Sequence, residues 1–125
     1  MSPDGLAELL PEADSIDVSV VIPCLNEAGS LGFCIDKALA AFKRAGIRGE
    51  VVVADNGSID DSEHIARAHG ARVVSVQMKG YGHALRGGIL AARGEFIIMG
   101  DADDSYDFGE VPRFVDKWRE GFDAM

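Results

Sequence analysis

The sequence lacks any apolar run long enough to cross a membrane, and basic residues are few. Among its 125 residues, 12 lysines and arginines stand against 21 aspartates and glutamates, which gives a formal net charge of −9. No stretch approaches the ~20 apolar residues of a membrane-spanning helix, and the acidic start lacks the basic and apolar regions of a signal peptide. Such an acidic chain is a poor general ligand for nucleic acid or anionic membranes. We therefore expect a cytoplasmic protein that does not bind nucleic acid.

Cysteine is equally scarce, with Cys24 at the end of a predicted strand and Cys34 in the predicted helix that follows. A disulfide between them is conceivable, but two cysteines without other signs of secretion are more typical of reduced core residues. The length suits one compact domain. We expect residues 1–17 to form a loose acidic leader and residues 18–125 to form the folded part.

Apolar strands alternate with amphipathic helices from Val18 onward. The β-branched and apolar runs predict four strands, at residues 18–23, 50–54, 72–76 and 95–99. Apolar residues at helical spacing predict a helix after each of the first three strands and a last helix at residues 112–119. Because the strands are apolar on both faces, the sequence predicts a parallel sheet covered by helices, the doubly wound α/β class. Ligands of such sheets bind at the carboxyl ends of the strands.

The fourth predicted strand is followed by two closely spaced carboxylates, Asp101 and Asp103. Side chains two residues apart at a strand end point the same way, and neighbouring carboxylates repel unless a cation lies between them. Mg²⁺ or Mn²⁺ takes a few carboxylate oxygens and completes its shell with substrate phosphates. Ala102 between them is small and leaves room for a ligand. The alternative for this motif alone is a solvated acidic turn.

The other strand ends carry groups suited to a nucleotide. Asn26 and Glu27 follow the first strand and could contact a nucleotide or cap the next helix. Asp55 could accept a hydrogen bond from a base N–H or a ribose hydroxyl, although the Asn-Gly that follows is also strong turn chemistry. Lys79 and Gly80 begin a glycine loop before a helix, an arrangement that favours anions. A flexible connector would have the same composition.

Taken in order, four motifs are more specific than any one of them. They are VxVVIPxxNE from Val18, VVADNGS from Val52, KGYGxALxxG from Lys79 and ARGEFIIMGDAD from Ala92. Together they resemble the inverting family 2 glycosyltransferases with the GT-A fold, a Rossmann-like three-layer sandwich with a mostly parallel sheet. The similarity is greatest to the branch that transfers sugars to polyprenyl phosphates of the dolichol type.

The resemblance implies a reaction and a set of binding residues. The reaction is transfer of a sugar from a UDP- or GDP-sugar to an acceptor, such as a polyprenyl phosphate or a glycan. Mg²⁺ or Mn²⁺ would neutralise the leaving nucleoside diphosphate, with Asp101 and Asp103 as its ligands. The residues that the resemblance assigns to the nucleotide sugar are Pro23, Glu27, Asp55, Lys79, Gly80, Asp101 and Ala102.

The chain also departs from the family's pattern. Asn56 stands where the family often has a second aspartate, and the resemblance assigns it no role. The segment from Asp104 to Asp107 replaces a common leucine-glutamine, which leaves the donor and the acceptor open. The acceptor-binding half, which in many members carries the catalytic base, would follow Met125. We therefore expect a fragment without an assigned base, whose missing regions could attach it to a membrane. The protein could also form a homo-oligomer.

Three other functions fit parts of the pattern. A non-catalytic nucleotide-sugar-binding module is an alternative because the acceptor-binding half is missing. A dinucleotide-binding oxidoreductase would use the loop that begins at Gly80, but Leu85 occupies the sixth position of that fingerprint, where close packing needs Gly or Ala. A phosphatase with an aspartate nucleophile normally carries its D-x-D motif after the first strand, whereas here it follows the fourth.

Overall fold

A computed structural model describes residues 15–121, so most of the predicted leader and the last four residues lie outside the described part. The strands are β1 (Val18–Cys24), β2 (Gly49–Asp55), β3 (Arg72–Ser75) and β4 (Phe96–Met99). The helices are α1 (Ala28–Ala45), α2 (Ser62–Ala68), α3 (Tyr81–Ala91) and α4 (Val111–Arg119), with a 3₁₀ turn at Phe108–Glu110 before α4. Each strand begins and ends within one residue of its predicted bounds.

The four strands form one parallel sheet in the order β3-β2-β1-β4. β1 pairs with β2 along its whole length, from Val18 opposite Gly49 to Cys24 opposite Asp55, and with β4 on its other side. The chain therefore steps outward from β1 to β3 and then returns to add β4 beyond β1. The order therefore reverses between β1 and β4, and doubly wound sheets bind their ligands at the carboxyl ends of the strands beside such a reversal.

Helices cover both faces of the sheet, which confirms the predicted α/β class. α1, α2 and α4 pack on one face, and α3 packs on the other against β1, β2 and β3. Val20 and Ile22 lie in the core on the α1 face, whereas Val21 lies under Gly88 of α3. Burial on both sides explains why the strand sequences are apolar throughout rather than alternating.

The starts of two helices on the same face are joined by one carboxylate. Asp60 Oδ1 accepts a hydrogen bond from the backbone N–H of Ser62 at 3.0 Å, at the start of α2. Its Oδ2 accepts one from the N–H of Ala28 at 3.1 Å, at the start of α1. Helix starts leave backbone N–H groups without partners inside the helix, and aspartate oxygens satisfy them. Asp60 therefore binds backbone N–H groups at the starts of both helices.

A polar network anchors the far end of α3 to the sheet. Glu50 accepts hydrogen bonds from the hydroxyl of Ser19 at 2.7 Å and from the backbone N–H of Arg93 at 2.7 Å. The guanidinium of Arg72 donates to Glu50 at 2.9 Å and to the carbonyl of Ala91 at 2.7 Å. Burial acts to raise the pKa of Glu50, but these hydrogen bonds outweigh it and lower the pKa. The network holds the carboxyl end of α3 at the amino edge of the strands, so the start of the helix points toward their carboxyl edge.

Both cysteines are free and buried, as predicted. Cys24 ends β1 and Cys34 lies within α1, and each belongs to the hydrophobic core. Burial is the largest influence on both thiols, and it raises their pKa above the ordinary value. Across residues 15–121, no helix combines the length and the apolar character needed to span a membrane.

Candidate donor-binding site

A pocket opens at the carboxyl edge of the sheet, between the end of β1 and the start of α3. It has a cavity volume of about 240 Å³. Three of the residues assigned to the nucleotide from the sequence line it: Pro23, Lys79 and Gly80. The other lining residues are Cys24, Leu25, Asn56, Tyr81 and Ala84. The pocket is therefore built from the ends of two strands and from the loop that leads into α3.

Asn56 holds the loop that forms one wall of the pocket. Its buried amide nitrogen donates to the carbonyls of Val76 and Met78, at 3.0 and 2.9 Å. Its Oδ1 accepts from the N–H of Gly80 at 2.8 Å, and its carbonyl accepts from Lys79 Nζ at 3.2 Å. An aspartate could accept such bonds but, when ionised, could not donate any. Asn56 is thus a site residue that the sequence analysis did not identify. The asparagine in place of the family's usual aspartate was the feature that could have indicated it.

Asp55 at the end of β2 is 5% exposed, and its two carboxylate oxygens differ in their hydrogen bonding. Oδ2 accepts from the backbone N–H groups of Gly57 at 3.2 Å and Ser58 at 3.1 Å, so the turn chemistry expected here is present. Oδ1 is buried and finds no hydrogen-bond donor among residues 15–121. A buried acceptor without a partner is costly. Asp55 does not line the pocket, so its contact with a base or a ribose stays a prediction.

Asn26 and Glu27 are occupied within the connection between β1 and α1. Asn26 has a positive φ of 54°, and its Oδ1 accepts from the N–H of Ile59 at 2.8 Å. The N–H of Glu27 donates to the hydroxyl of Ser62 at 3.0 Å, and its side chain makes no capping hydrogen bond to α1. Asn26 therefore joins two loops of the carboxyl edge. Neither residue lines the pocket, and their contacts with a nucleotide stay predictions.

Asp101 and Asp103 follow β4 directly, on the opposite side of β1 from Asn56. Asp101 Oδ1 accepts a hydrogen bond from the hydroxyl of Tyr81 at 2.8 Å, which raises the pKa of the tyrosine. Asp103 Oδ1 accepts from the backbone N–H of Ser105 at 3.0 Å. Hydrogen bonds from the Ser105 side chain and backbone lower the pKa of Asp103. Asp103 is therefore ionised at neutral pH, as a metal ligand must be.

Ala102 between the two carboxylates is 2% exposed, and its methyl group belongs to the hydrophobic core. Its carbonyl accepts hydrogen bonds from the hydroxyl of Ser30 and, at 3.7 Å, from the thiol of Cys34. These contacts tie the turn after β4 to α1. The side chain points inward and makes no space for a ligand, so a contact with a ribose, still a prediction, would involve the backbone of Ala102.

The two carboxylates suit a divalent ion that shares its ligand shell with a phosphate. Mg²⁺ usually takes one or two protein carboxylates together with substrate phosphates and water. In the described part of the chain, no group of three or more His, Cys, Asp or Glu side chains is arranged to hold a metal by itself. Asp101 is partly exposed and Asp103 is exposed, so both remain accessible. This donor set fits Mg²⁺ or Mn²⁺ completed by phosphate oxygens.

The next two aspartates of the loop after β4, Asp104 and Asp107, lie near a lysine of α1. Lys37 of α1 lies 3.0 Å from Asp107 and 3.9 Å from Asp104. Asp107 also accepts from the N–H of Gly109 at 2.9 Å and so caps the 3₁₀ turn. The lysine and this N–H lower the pKa of Asp107, which makes its carboxylate a weak proton acceptor. Asp107 therefore has a structural role in this loop.

Apart from Val18, the four motifs lie within a stretch that matches a known family. The profile described as glycosyl transferase family 2 matches residues 19–125. The chain belongs to glycosyltransferase family 2. The resemblance based on the four motifs is therefore confirmed, and with it the predicted GT-A architecture of a parallel sheet between layers of helices.

Two relatives and a solved structure place the chain within the family. A low-salt glycan biosynthesis hexosyltransferase of Haloferax volcanii is 45% identical over 117 residues, which cover 91% of this chain and 28% of the relative. A dolichyl-phosphate hexose transferase of the same organism is 36% identical over 110 residues, 87% of this chain and 46% of the relative. The chain thus spans less than half of either relative.

The solved structure is glucosyl-3-phosphoglycerate synthase from Mycobacterium tuberculosis, in complex with Mn²⁺, uridine diphosphate and glucosyl-3-phosphoglycerate. It aligns with a TM-score of 0.61 at 33% identity, over 73% of this chain and 36% of that one. A similarity of this extent supports the same arrangement of strands and helices around the carboxyl edge.

Proposed function

We propose that this chain forms the donor-binding part of a hexosyltransferase and binds a UDP- or GDP-sugar together with Mg²⁺ or Mn²⁺. One observation carries the proposal. The pocket walled by the Lys79 loop and the paired carboxylates of Asp101 and Asp103 lie at the same edge of the sheet, and Tyr81 connects them. A nucleoside and a diphosphate need such neighbouring sites, one concave and one suited to a metal ion.

The proposed pose assigns the nucleoside to the pocket and the diphosphate to the β4 end. Asp55 Oδ1 is buried without a donor and lies outside the pocket lining, so it could accept an N–H from the base only if the turn after β2 moves to expose it. Lys79 lies at the pocket wall and adds a positive charge. In a chain of net charge −9, an anionic ligand needs such a cation or a metal. The bound metal would act as a Lewis acid that neutralises the departing diphosphate.

For the acceptor, we propose a molecule that carries a phosphate, such as a polyprenyl phosphate. One relative is named a dolichyl-phosphate hexose transferase, and the structural neighbour is a synthase of a sugar phosphoglycerate. A phosphate oxygen is already anionic and can attack the sugar without a general base. This chemistry agrees with a donor site in which Asp107 is held as a structural residue by Lys37.

Replacing Asp103 tests the metal-dependent part of the proposal. We expect Asp103→Asn to weaken UDP binding in the presence of Mn²⁺ by more than about tenfold, because even the partners of metal ligands contribute about 10- to 100-fold to metal affinity. Calorimetric titration of UDP and GDP, with and without Mn²⁺, measures the change. Asp116→Asn is the matched control, since it removes the same charge from an exposed position on α4.

Two results would overturn this proposal. One is tight binding of NAD, which would indicate a dinucleotide-binding oxidoreductase instead. The other is binding of UDP and GDP that is indifferent both to Mn²⁺ and to Asp103→Asn. Metal-dependent binding by a full-length protein that transfers no sugar to any phosphate acceptor would favour the alternative of a non-catalytic binding module.

A further inference from the structure

Tyr81 connects the pocket with the carboxylates. It is the first residue of α3 and lines the pocket, and its hydroxyl donates to Asp101 Oδ1 at 2.8 Å across 20 residues of sequence. Tyr81 is 60% exposed, so core packing does not hold its ring against Asp101. The contact therefore depends on the hydroxyl rather than on burial, and it lies between the two places assigned to the nucleoside and the diphosphate.

The two carboxylates are oriented by different means. Asp103 is fixed by the backbone N–H of Ser105, two residues away in the same turn. Within residues 15–121, Asp101 accepts its side-chain hydrogen bond from Tyr81, on another element. Carboxylate oxygens have about four lone-pair positions in total. The bond to Tyr81 therefore leaves Oδ2 and one lone pair of Oδ1 for a ligand, while it limits rotation of the carboxylate.

We propose that Tyr81 is a positioning residue for the divalent metal, which acts by holding Asp101 in the orientation that binds the ion. The inference rests on the proposed function, since it concerns the same site. Hydrogen-bond partners of metal-ligating carboxylates typically contribute about 10- to 100-fold to metal affinity. Because Tyr81 is also a wall of the pocket, it links the start of α3 to metal binding at the end of β4.

The variant Tyr81→Phe separates the hydroxyl from the ring. We expect the Mn²⁺ concentration for half-maximal enhancement of UDP binding to rise about tenfold, while UDP affinity without Mn²⁺ changes by a smaller factor because the ring still forms the wall. Calorimetric titrations of UDP at a series of Mn²⁺ concentrations measure both quantities. Circular dichroism during heating checks that the variant is folded, which is expected because the side chain is exposed.

The other tyrosine of the chain supplies the control. The sequence has two tyrosines, and the hydroxyl of Tyr106 is buried without a hydrogen-bond partner among the described residues. Tyr106→Phe therefore also removes a phenol hydroxyl in this region, but one that does not contact Asp101. We expect its Mn²⁺ requirement to equal that of the wild type.

The outcomes separate this inference from the proposed function. An unchanged Mn²⁺ requirement in Tyr81→Phe overturns the inference and leaves the proposed function intact. A lower requirement also overturns it, because the phenol would then compete with the ion. If Tyr81→Phe weakens UDP binding equally with and without Mn²⁺, the tyrosine acts only on the nucleotide, and this result also overturns the inference. If the wild type binds UDP without regard to Mn²⁺, the proposed function fails and the inference fails with it.

Discussion

Asn56→Asp is expected to lower the free energy of unfolding by about 3–5 kcal/mol at neutral pH, because it leaves buried acceptors unpaired and buries a charge. Asn56 is 4% exposed and donates to two carbonyls. An ionised carboxylate would instead face those two carbonyl oxygens without a proton to share. The loop from Val76 to Gly80 would lose its anchor, so UDP binding is expected to fall as well.

The effect of this substitution should depend on pH in a defined direction. Burial against carbonyl oxygens would raise the folded-state pKa of the introduced carboxyl above its unfolded value of about 3.9. The protonated acid can donate one hydrogen bond, so most of the lost stability is expected to return below about pH 4. As pH rises through the folded-state pKa, the destabilisation should reach its full size. Urea unfolding of wild type and variant from pH 3 to pH 8 measures this difference.

Asn26→Asp provides the matched control. The side chain of Asn26 accepts from the backbone N–H groups of Ile59 and Asp60 and is exposed, so a carboxylate can make the same bonds. We expect a change within about 0.5 kcal/mol, as for most surface substitutions. Similar losses of stability in the two variants would contradict the role assigned to the donor bonds of Asn56.

The second large effect is expected for Gly88→Ala in α3, which should destabilise the protein by about 2 kcal/mol or more. A Cβ at Gly88 would lie 2.5 Å from Val21 Cγ1 and 3.2 Å from the Cβ of Ala54. Val21 is fully buried in β1, and β-branched side chains have few alternative rotamers. The helix must therefore move away from the sheet, and its displacement should also weaken UDP binding at the start of α3.

Gly82→Ala in the same helix is the control for stability. A Cβ there meets no atom within 4 Å, so the gain in helix propensity of up to about 1 kcal/mol should appear without a clash. Urea unfolding of both variants measures the contrast. If Gly88→Ala unfolds at the same urea concentration as Gly82→Ala, then close contact between α3 and the sheet does not limit the size of this residue.

Local patterns in the sequence were sufficient for the elements and for the class of fold. The β-branched run at Val18–Cys24 and the helical spacing of apolar residues in α1 depend on neighbours within one strand or one turn. The prediction that the motifs meet at one edge also held, because the carboxyl ends of parallel strands lie on the same side. Asp55, Lys79 and Asp101 therefore lie at the same edge of the sheet, as predicted.

Local patterns did not predict which residues at that edge contact one another. The sequence did not indicate that the side chain of Asn26 bonds to the N–H of Ile59 in another loop, and its contact with a nucleotide stays a prediction. Ala102 was expected to leave room for a ligand, yet its methyl group lies in the core. Both contacts depend on how segments that are distant in sequence pack together, and short-range periodicity cannot predict such packing.

The sequence by itself determined that this chain is a parallel α/β protein of glycosyltransferase family 2 with paired carboxylates after its fourth strand. Hydrophobic periodicity and turn residues act locally, and the four motifs keep their order, so both could be recognised without coordinates. Only the tertiary structure decided that Asn56 anchors the loop of Lys79 and that Tyr81 bonds to Asp101. The physical reason is that these hydrogen bonds join residues 20 to 24 positions apart, which meet only after the sheet has assembled.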